Sequence, residues 1–240
     1  MIYLEIPIQM PISNTNASQK KTRTNASNAS MEDVVDILRK RIVSQELPPG
    51  SKLSEAELTD EFKVSRPRIR EAFGVLEDRG LIERIPNKGA VVTRLGKDDI
   101  FALFEMREVL EALSVRLATE KSSPNTWDDL FDRFGEPAKE ALAHGDLDYY
   151  MDCITEFRQS TISAAQNPIL SVQMEALYDR TRVLLRRLLL VPGRAEQGRI
   201  QHREILAAMK AGNAELAEQL KRKNIRSSRE SFASYQHYLL

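Results

Sequence analysis

From Met31 onward, apolar residues recur every three to four positions: Val34, Val35, Ile37, Leu38 and Ile42 stand among charged neighbours, and the pattern ends at Leu47-Pro-Pro-Gly. That spacing predicts an amphipathic helix closed by a turn at Pro48, Pro49 and Gly50. A second, shorter helix is predicted through Phe62. Ser54 with Glu57 three residues later is a capping-box signature, and Ala56, Leu58 and Phe62 are its candidate core positions. Lys63 and Val64 form a tight turn into a third helix from about Arg66 to Asp78. There Ile69, Ala72, Phe73 and Leu76 make an apolar stripe, Ser65 can accept from the first-turn amides, and Pro67 suits a helix start. Arg79-Gly80 stops it. Leu81-Ile-Glu-Arg-Ile and Ala90-Val-Val-Thr-Arg flank Pro86-Asn-Lys-Gly, which predicts a β-hairpin with a basic tip. Three helices and a hairpin make a winged helix-turn-helix.

After Gly96 the pattern is helical only, with breaks at Ser123-Pro124, Gly145-Asp146, Asn167-Pro168, Pro192-Gly193 and Gly212-Asn213. Roughly six helices are predicted, of lengths suited to an antiparallel bundle whose core can enclose a ligand. The fold class is therefore mainly α, an N-terminal winged helix-turn-helix followed by a C-terminal all-helical bundle. Ahead of both, residues 12–30 are nearly all Asn, Ser, Thr, Ala, Lys and Gln and cannot bury enough surface to offset ordering entropy. The expected division is a disordered tail at 1–30, a DNA-binding domain at 31–95 and a helical domain at 98–237.

Composition adds exclusions rather than functions. The hydrophobic fraction of 42% suits a globular chain, and the formal net charge of +0 removes any bulk electrostatic argument for nucleic acid. What matters is placement: Arg66, Arg68 and Arg70 cluster at the exposed start of the third helix, where side chains reach base edges. For Arg68 an exposed ion pair is an equal alternative. Lys20, Lys21 and Arg23 can add phosphate contacts without sequence preference, beside a purely solubilising role. The single cysteine, Cys153, cannot form an internal disulfide and reads as a small buried hydrophobe.

No apolar run approaches the roughly 20 residues that cross a bilayer, the longest being interrupted by Arg186 and Arg187. The first residues lack a basic segment and include Glu5 and Pro7, unlike a secretory signal, so the Asn-Ala-Ser matches at Asn16, Asn25 and Asn28 read as chance. A cytoplasmic protein without a membrane partner is expected. No nucleophile elbow, phosphate loop, metal-binding pair or Cys-His arrangement is present, which argues against an enzyme.

The first module resembles the GntR family of bacterial transcription regulators across roughly residues 31 to 94. The resemblance is carried by Leu47-Pro-Pro-Gly-Ser-Lys-Leu-Ser-Glu-Ala-Glu-Leu, Val64-Ser-Arg-Pro-Arg-Ile-Arg-Glu-Ala-Phe, Leu76-Glu-Asp-Arg-Gly-Leu-Ile-Glu-Arg and Asn87-Lys-Gly-Ala-Val-Val. It implies DNA contacts from Ser65, Arg66 and Arg70, with Lys88 and Gly89 approaching the minor groove; Pro67 and Arg68 complete the candidate set. Pro67 stands where many relatives have threonine, and Ala56 where some have arginine.

The helical half resembles the FadR-type effector-binding domain called FCD, through Phe104-Glu-Met-Arg-Glu-Val-Leu-Glu, Glu156-Phe-Arg-Gln, Asn167-Pro and His202-Arg-Glu-Ile-Leu-Ala-Ala-Met-Lys-Ala-Gly-Asn. Metal-binding members carry one aspartate and three histidines at the positions that here are Ile154, Arg158, His202 and Asn224. Isoleucine cannot ligate, a guanidinium repels a cation and an asparagine carbonyl is a weak donor, so no metal and no cofactor is expected.

Two readings of Arg158 stand. In one, its charge replaces the metal and holds an effector carboxylate, with Arg107, His202 and Asn224 as neighbours. In the other, it pairs with Glu156 or Glu204, or reaches solvent. His202 by itself reads first as a satisfied core histidine. The resulting expectation is a homodimeric regulator, a ligand-responsive repressor, that binds a palindromic operator and senses a small carboxylate. The alternative is an effector-independent regulator whose helical domain only dimerises.

Overall fold

The computed structural model describes residues 29–239. The tail at 1–30, with Lys20, Lys21 and Arg23, lies outside the described residues except for its last two positions. The head comprises α1 (Met31–Val43), β1 (Lys52–Leu53), α2 (Glu55–Phe62), α3 (Arg66–Asp78), β2 (Ile82–Ile85) and β3 (Gly89–Val92). α1 opens with a closed capping box: the Ser30 hydroxyl accepts from the Asp33 amide at 3.1 Å, and the Asp33 carboxylate accepts from the Ser30 amide at 3.0 Å. It ends at Val43, ahead of the predicted proline turn.

In α2 only the Ser54 half of the predicted box forms, accepting from the Glu57 amide at 3.3 Å. Leu58 and Phe62, four apart, share its buried face, whereas Ala56 is exposed and is not a core residue. α3 has the predicted bounds, with Pro67 in its first turn. The predicted Ser65 cap does not form; its hydroxyl makes no hydrogen bond to the helix.

β3 lies between β1 and β2 in an antiparallel sheet, with Ile82 opposite Val92 and Lys52 opposite Val91. β1 has two residues, too few for an alternating pattern to reveal. Leu38, Ile69, Leu76 and Phe73 interlock beneath this sheet with Phe62 and Ile82. Each such burial contributes about 1.5–3 kcal/mol, which fixes the angle at which α3 leaves the head.

The second unit holds α4 (Lys97–Lys121), α5 (Asp128–Arg133), α6 (Glu136–Ala143), α7 (Leu147–Ala164), α8 (Pro168–Leu188), α9 (Arg194–Lys210) and α10 (Ala214–Leu239), with a 3-10 turn at Pro124–Trp127. Every predicted break is present, but the stretch read as one helix is divided by the 3-10 turn and again at Phe134 and Gly135. Phe134 is buried against Tyr150, Phe157 and His202 and turns inward where a continuous helix would have to continue along the surface.

Cys153 is buried in α7, as expected. The head meets the bundle at α1 and α8, where Arg39 Nε donates to Asp179 Oδ2 at 2.6 Å. Gly80, with a φ of +68°, sits against the Arg180 guanidinium, where a Cβ would fall 3.0 Å from its Nε. No helix among the described residues is long and apolar enough to cross a membrane.

Candidate functional site

Two constellations carry chemistry, one on the surface of the head and one inside the bundle. On the head, burial of Ile69, Phe73 and Leu76 turns the opposite face of α3 outward, leaving Arg66, Pro67, Arg68 and Arg70 exposed beside Ser65. The Ser65 hydroxyl, unused as a cap, is available to an incoming acceptor. Arg70 Nε is held by the Glu55 carboxylate at 2.9 Å, and Arg68 reaches the Ala29 carbonyl at 3.5 Å, too long to hold it firmly. Lys88 and Gly89 form the wing tip between β2 and β3, both exposed, in a turn that places Asn87 at φ +66° and Gly89 at φ +82°. No Cβ neighbour crowds Gly89, so its role there is the left-handed backbone of the turn.

Inside the bundle, α4, α7, α8, α9 and α10 line a cavity of about 40 Å³. It is lined by all four predicted effector residues: Arg107 from α4, Arg158 from α7, His202 from α9 and Asn224 from α10. Ile154, buried, supplies apolar wall one turn before Arg158, while Leu185, Leu188 and Leu189 close the α8 side. Neither acid offered as a partner for Arg158 reaches it: Glu156 pairs with Arg133, and Glu204 is exposed on α9. Its guanidinium lies 4.3 Å from the centre of the Tyr178 ring instead, and its Nε is buried without a partner. Burial lowers the Arg158 pKa, Tyr178 and Glu111 oppose that, and Arg107 and Arg182 add to it.

Residues the pattern did not single out line the cavity or anchor its lining. Glu111, one helical turn after Arg107, accepts from Arg107 Nε at 2.8 Å and meets Lys221 Nζ at 2.8 Å. Burial alone would raise the Glu111 carboxyl, but Arg107, Lys221 and Arg158 hold it well below the usual carboxylate range. Arg194 lies on α9 and donates to Ser228 Oγ at 2.5 Å and to Gln201 at 3.4 Å. The available signal was helical spacing: Glu111 shares a face with Arg107, and Lys221 with Asn224, four and three positions away. Arg194, just past the Pro192-Gly193 break, carried no such signal.

His202 is a satisfied core histidine and a cavity wall at once. Its Nδ1 lies 2.8 Å from the Gly198 carbonyl, to which it donates, and its ring stacks on Phe134 with centroids 4.9 Å apart. Burial, with Lys221, holds its pKa well below 6.5, so the ring is neutral at pH 7. Asn224 is committed as well, donating from Nδ2 to Gln201 at 2.8 Å.

These donors do not fit the metal of the metal-binding relatives. Of the four corresponding positions only His202 has a strong donor atom, Arg158 and Lys221 repel cations, and among the described residues no three His, Cys, Asp or Glu side chains converge on a common point.

Comparison with known proteins agrees with this division. The family of bacterial regulatory proteins called gntR matches residues 30–92, and the FCD domain family matches residues 102–227. A probable D-xylose utilization operon transcriptional repressor of Paenarthrobacter nicotinovorans is 29% identical over 202 residues, covering 84% of this chain and 86% of the relative. The HTH-type transcriptional repressor RspR of Escherichia coli (strain K12) is 33% identical over 98 residues, 41% of this chain and 43% of its own. Among solved structures, E. coli McbR/YncC shares the fold with a TM-score of 0.68 at 23% identity, covering 88% of this chain and 100% of that one. A putative GntR regulator from Rhodococcus sp. RHA1 does so at 0.66 and 24% identity, covering 85% and 98%.

Proposed function

The chain belongs to the gntR family of bacterial regulatory proteins and carries an FCD domain, and we propose on that premise that it is a homodimeric repressor released from a palindromic operator by a small carboxylate. Its members are DNA-binding transcriptional regulators, not enzymes, and so is this chain. On our reading, α3 enters the major groove, with Ser65, Arg66, Pro67, Arg68 and Arg70 toward the bases and phosphates while Lys88 and Gly89 follow the minor groove. Two copies related by a twofold axis read half-sites about one helical turn apart. Met106 and Val109 on α4 and Ile169 and Val172 on α8 form exposed apolar surface on two packed helices, which supports a second copy as the covering partner. The repressor roles in the relatives' names support the sign of the response.

The observation that carries the effector reading is the convergence of Arg107, Arg158, His202 and Asn224 from four helices on one cavity, with Arg158 in no ion pair among the described residues. A carboxylate there gains charge-assisted, bidentate bonds from a group that otherwise lacks them. α8 links cavity to head: Leu185 and Leu188 wall the cavity, and Asp179, farther along the helix, holds Arg39 of α1. A ligand that binds one placement of α8 better than another shifts the heads by that difference in affinity.

The alternative, a bundle that only dimerises, is favoured by one observation: 40 Å³ is far below the roughly 300–1,000 Å³ of ordinary ligand pockets. A thermal-shift panel of sugar acids, hydroxy acids and acyl compounds, followed by operator-release titrations, separates the two. A carboxylate that raises the melting midpoint and releases operator in the wild type, but not in Arg158→Ala, supports the effector reading. Unchanged melting and operator affinity across the panel supports the alternative.

A further inference from the structure

The charge balance of the cavity narrows the class of effector. Four cationic side chains line it, Arg107, Arg158, Arg194 and Lys221. Among the described residues one buried carboxylate, Glu111, stands against them, shared between Arg107 and Lys221 at 2.8 Å each. Among the described residues Arg158 and Arg194 have no carboxylate partner. Arg158 rests on the Tyr178 ring, and Arg194 is bonded only to the neutral oxygens of Ser228, Gln197 and Gln201. Each also has a buried Nε without a partner, and Arg194 is 5% exposed. Buried charge is ordinarily paired, because the desolvation cost otherwise goes uncompensated. Two guanidiniums without anions, on different helices facing one cavity, are such an exception twice over.

We infer that the cavity binds a small dianion, a short dicarboxylate or a phosphate group, with one guanidinium from Arg158 on α7 and another from Arg194 on α9 as its two anchors. This rests on the effector reading above and sharpens it. A monocarboxylate leaves one of the two guanidiniums desolvated and unpaired, whereas two negative charges satisfy both. The neutral His202 adds no further positive charge, because burial and Lys221 keep it unprotonated. A cavity of only 40 Å³ favours a compact ligand and requires its walls, Leu185 and Leu188 of α8 among them, to move outward as it enters. Dianion binding is thereby coupled to the helix that holds the head.

The test uses the full chain and calorimetric titration with succinate and with butyrate, which match in chain length and differ by one carboxylate, and with inorganic phosphate. Succinate or phosphate binding about tenfold or more tighter than butyrate is expected, the gain of one charge-assisted bond pair. Arg194→Gln should reduce the better dianion to the affinity of butyrate, and Arg158→Gln should do the same. Cooperative melting and helical circular dichroism report whether each variant has folded. Because each variant removes a charge that no carboxylate among the described residues pairs, its ligand-free melting midpoint should equal or exceed that of the wild type; a merely structural arginine would lower it.

Preference for phosphate over succinate assigns the dianion to a phosphate source, and the reverse to a dicarboxylate; either supports the inference. Binding of both succinate and phosphate no tighter than that of butyrate overturns it and leaves the carboxylate reading standing, as does tight binding of a monocarboxylate from the wider panel with no response to dianions. Silence of every anion at millimolar concentration overturns both.

Discussion

Two arginine–glutamate pairs of almost the same length lie in the two halves of the molecule. Arg70 and Glu55 meet at 2.9 Å on the head, with side chains 62% and 34% exposed, and Arg107 and Glu111 meet at 2.8 Å in the bundle, at 4% and 2%. Distance does not separate them; solvent does. On the head, water and salt screen the attraction, so Arg70 can leave Glu55 for a base edge at small cost. In the bundle neither partner can be rehydrated, so Glu111 is a fixed anchor behind the cavity and holds the lining cations Arg107 and Lys221 in place. A DNA-reading surface needs arginines that are poised but releasable. A ligand cavity needs arginines whose positions are set before the ligand arrives, so that little ordering cost falls on binding.

The sharpest way to break that comparison is to neutralise the acid in each pair. Glu111→Gln leaves the buried Arg107 and Lys221 without their carboxylate and should cost about 3–5 kcal/mol in urea unfolding. Glu55→Gln should cost less than about 1 kcal/mol. Comparable losses in the two variants would show that the bundle pair is solvated in solution and that the cavity is not a closed electrostatic site. Succinate or phosphate should restore part of the Glu111→Gln loss, because an anion binding only the folded state stabilises it by mass action.

Next in size is Arg70→Ala. Losing one bidentate arginine–guanine contact should weaken specific operator binding by about 1–3 kcal/mol, while the melting midpoint stays near that of the wild type. Fluorescence anisotropy against the operator and against a scrambled duplex measures it. A variant with wild-type discrimination would remove Arg70 from the reading face. Arg66→Ala should behave alike, and Lys88→Ala should weaken both duplexes together and flatten the salt dependence.

The head was legible to the residue in α3 because its bounds rest on local chemistry: Pro67 at the start, Gly80 past the end, and an apolar stripe between them. Local chemistry also misled there, since Ser65 has the right residue type for a cap and does not make one. The bundle was legible wherever proline, glycine or asparagine punctuates it, and failed at Phe134 and Gly135, where an aromatic is drawn into the core by Tyr150, Phe157 and His202. The same limit applied to the cavity. Arg158, His202 and Asn224 came from the resemblance of motifs, with Arg107 offered as a neighbour, whereas the pairing of Glu111 with Lys221 depends on α4 packing along α10, which no periodicity encodes.

A smaller effect should follow from cutting the link between the halves. Asp179 is buried at the head of the α8 contact and holds Arg39 across the domain boundary at 2.6 Å. Asp179→Asn should leave each half folded and reduce the coupling between effector and operator, a quantity of about 1–3 kcal/mol in most allosteric proteins. The measurement is operator affinity with and without saturating effector. An undiminished ratio would place the route of communication elsewhere, through α4 or across the dimer.

The smallest effect is a pH slope. His202 is buried with Lys221 of α10, Arg194 of α9, and Arg158 and Tyr150 of α7 facing it, and burial together with these cations depresses its pKa well below 6.5. The unfolded chain therefore binds a proton that the folded chain refuses once the pH drops below 6.5. The His202 contribution to stability is complete above that value and declines as the pH falls, by about 1.4 kcal/mol per unit at most. His202→Gln should flatten the difference between urea midpoints at pH 7 and pH 5.5, and an unchanged slope would mean that the ring is reached by water. A dianion between Arg158 and Arg194 offsets the positive field at the imidazole and makes protonation easier, so the wild-type slope should itself shrink with succinate or phosphate bound. The head offers a control, since Glu55→Gln alters charge on the surface and should leave that slope where it was.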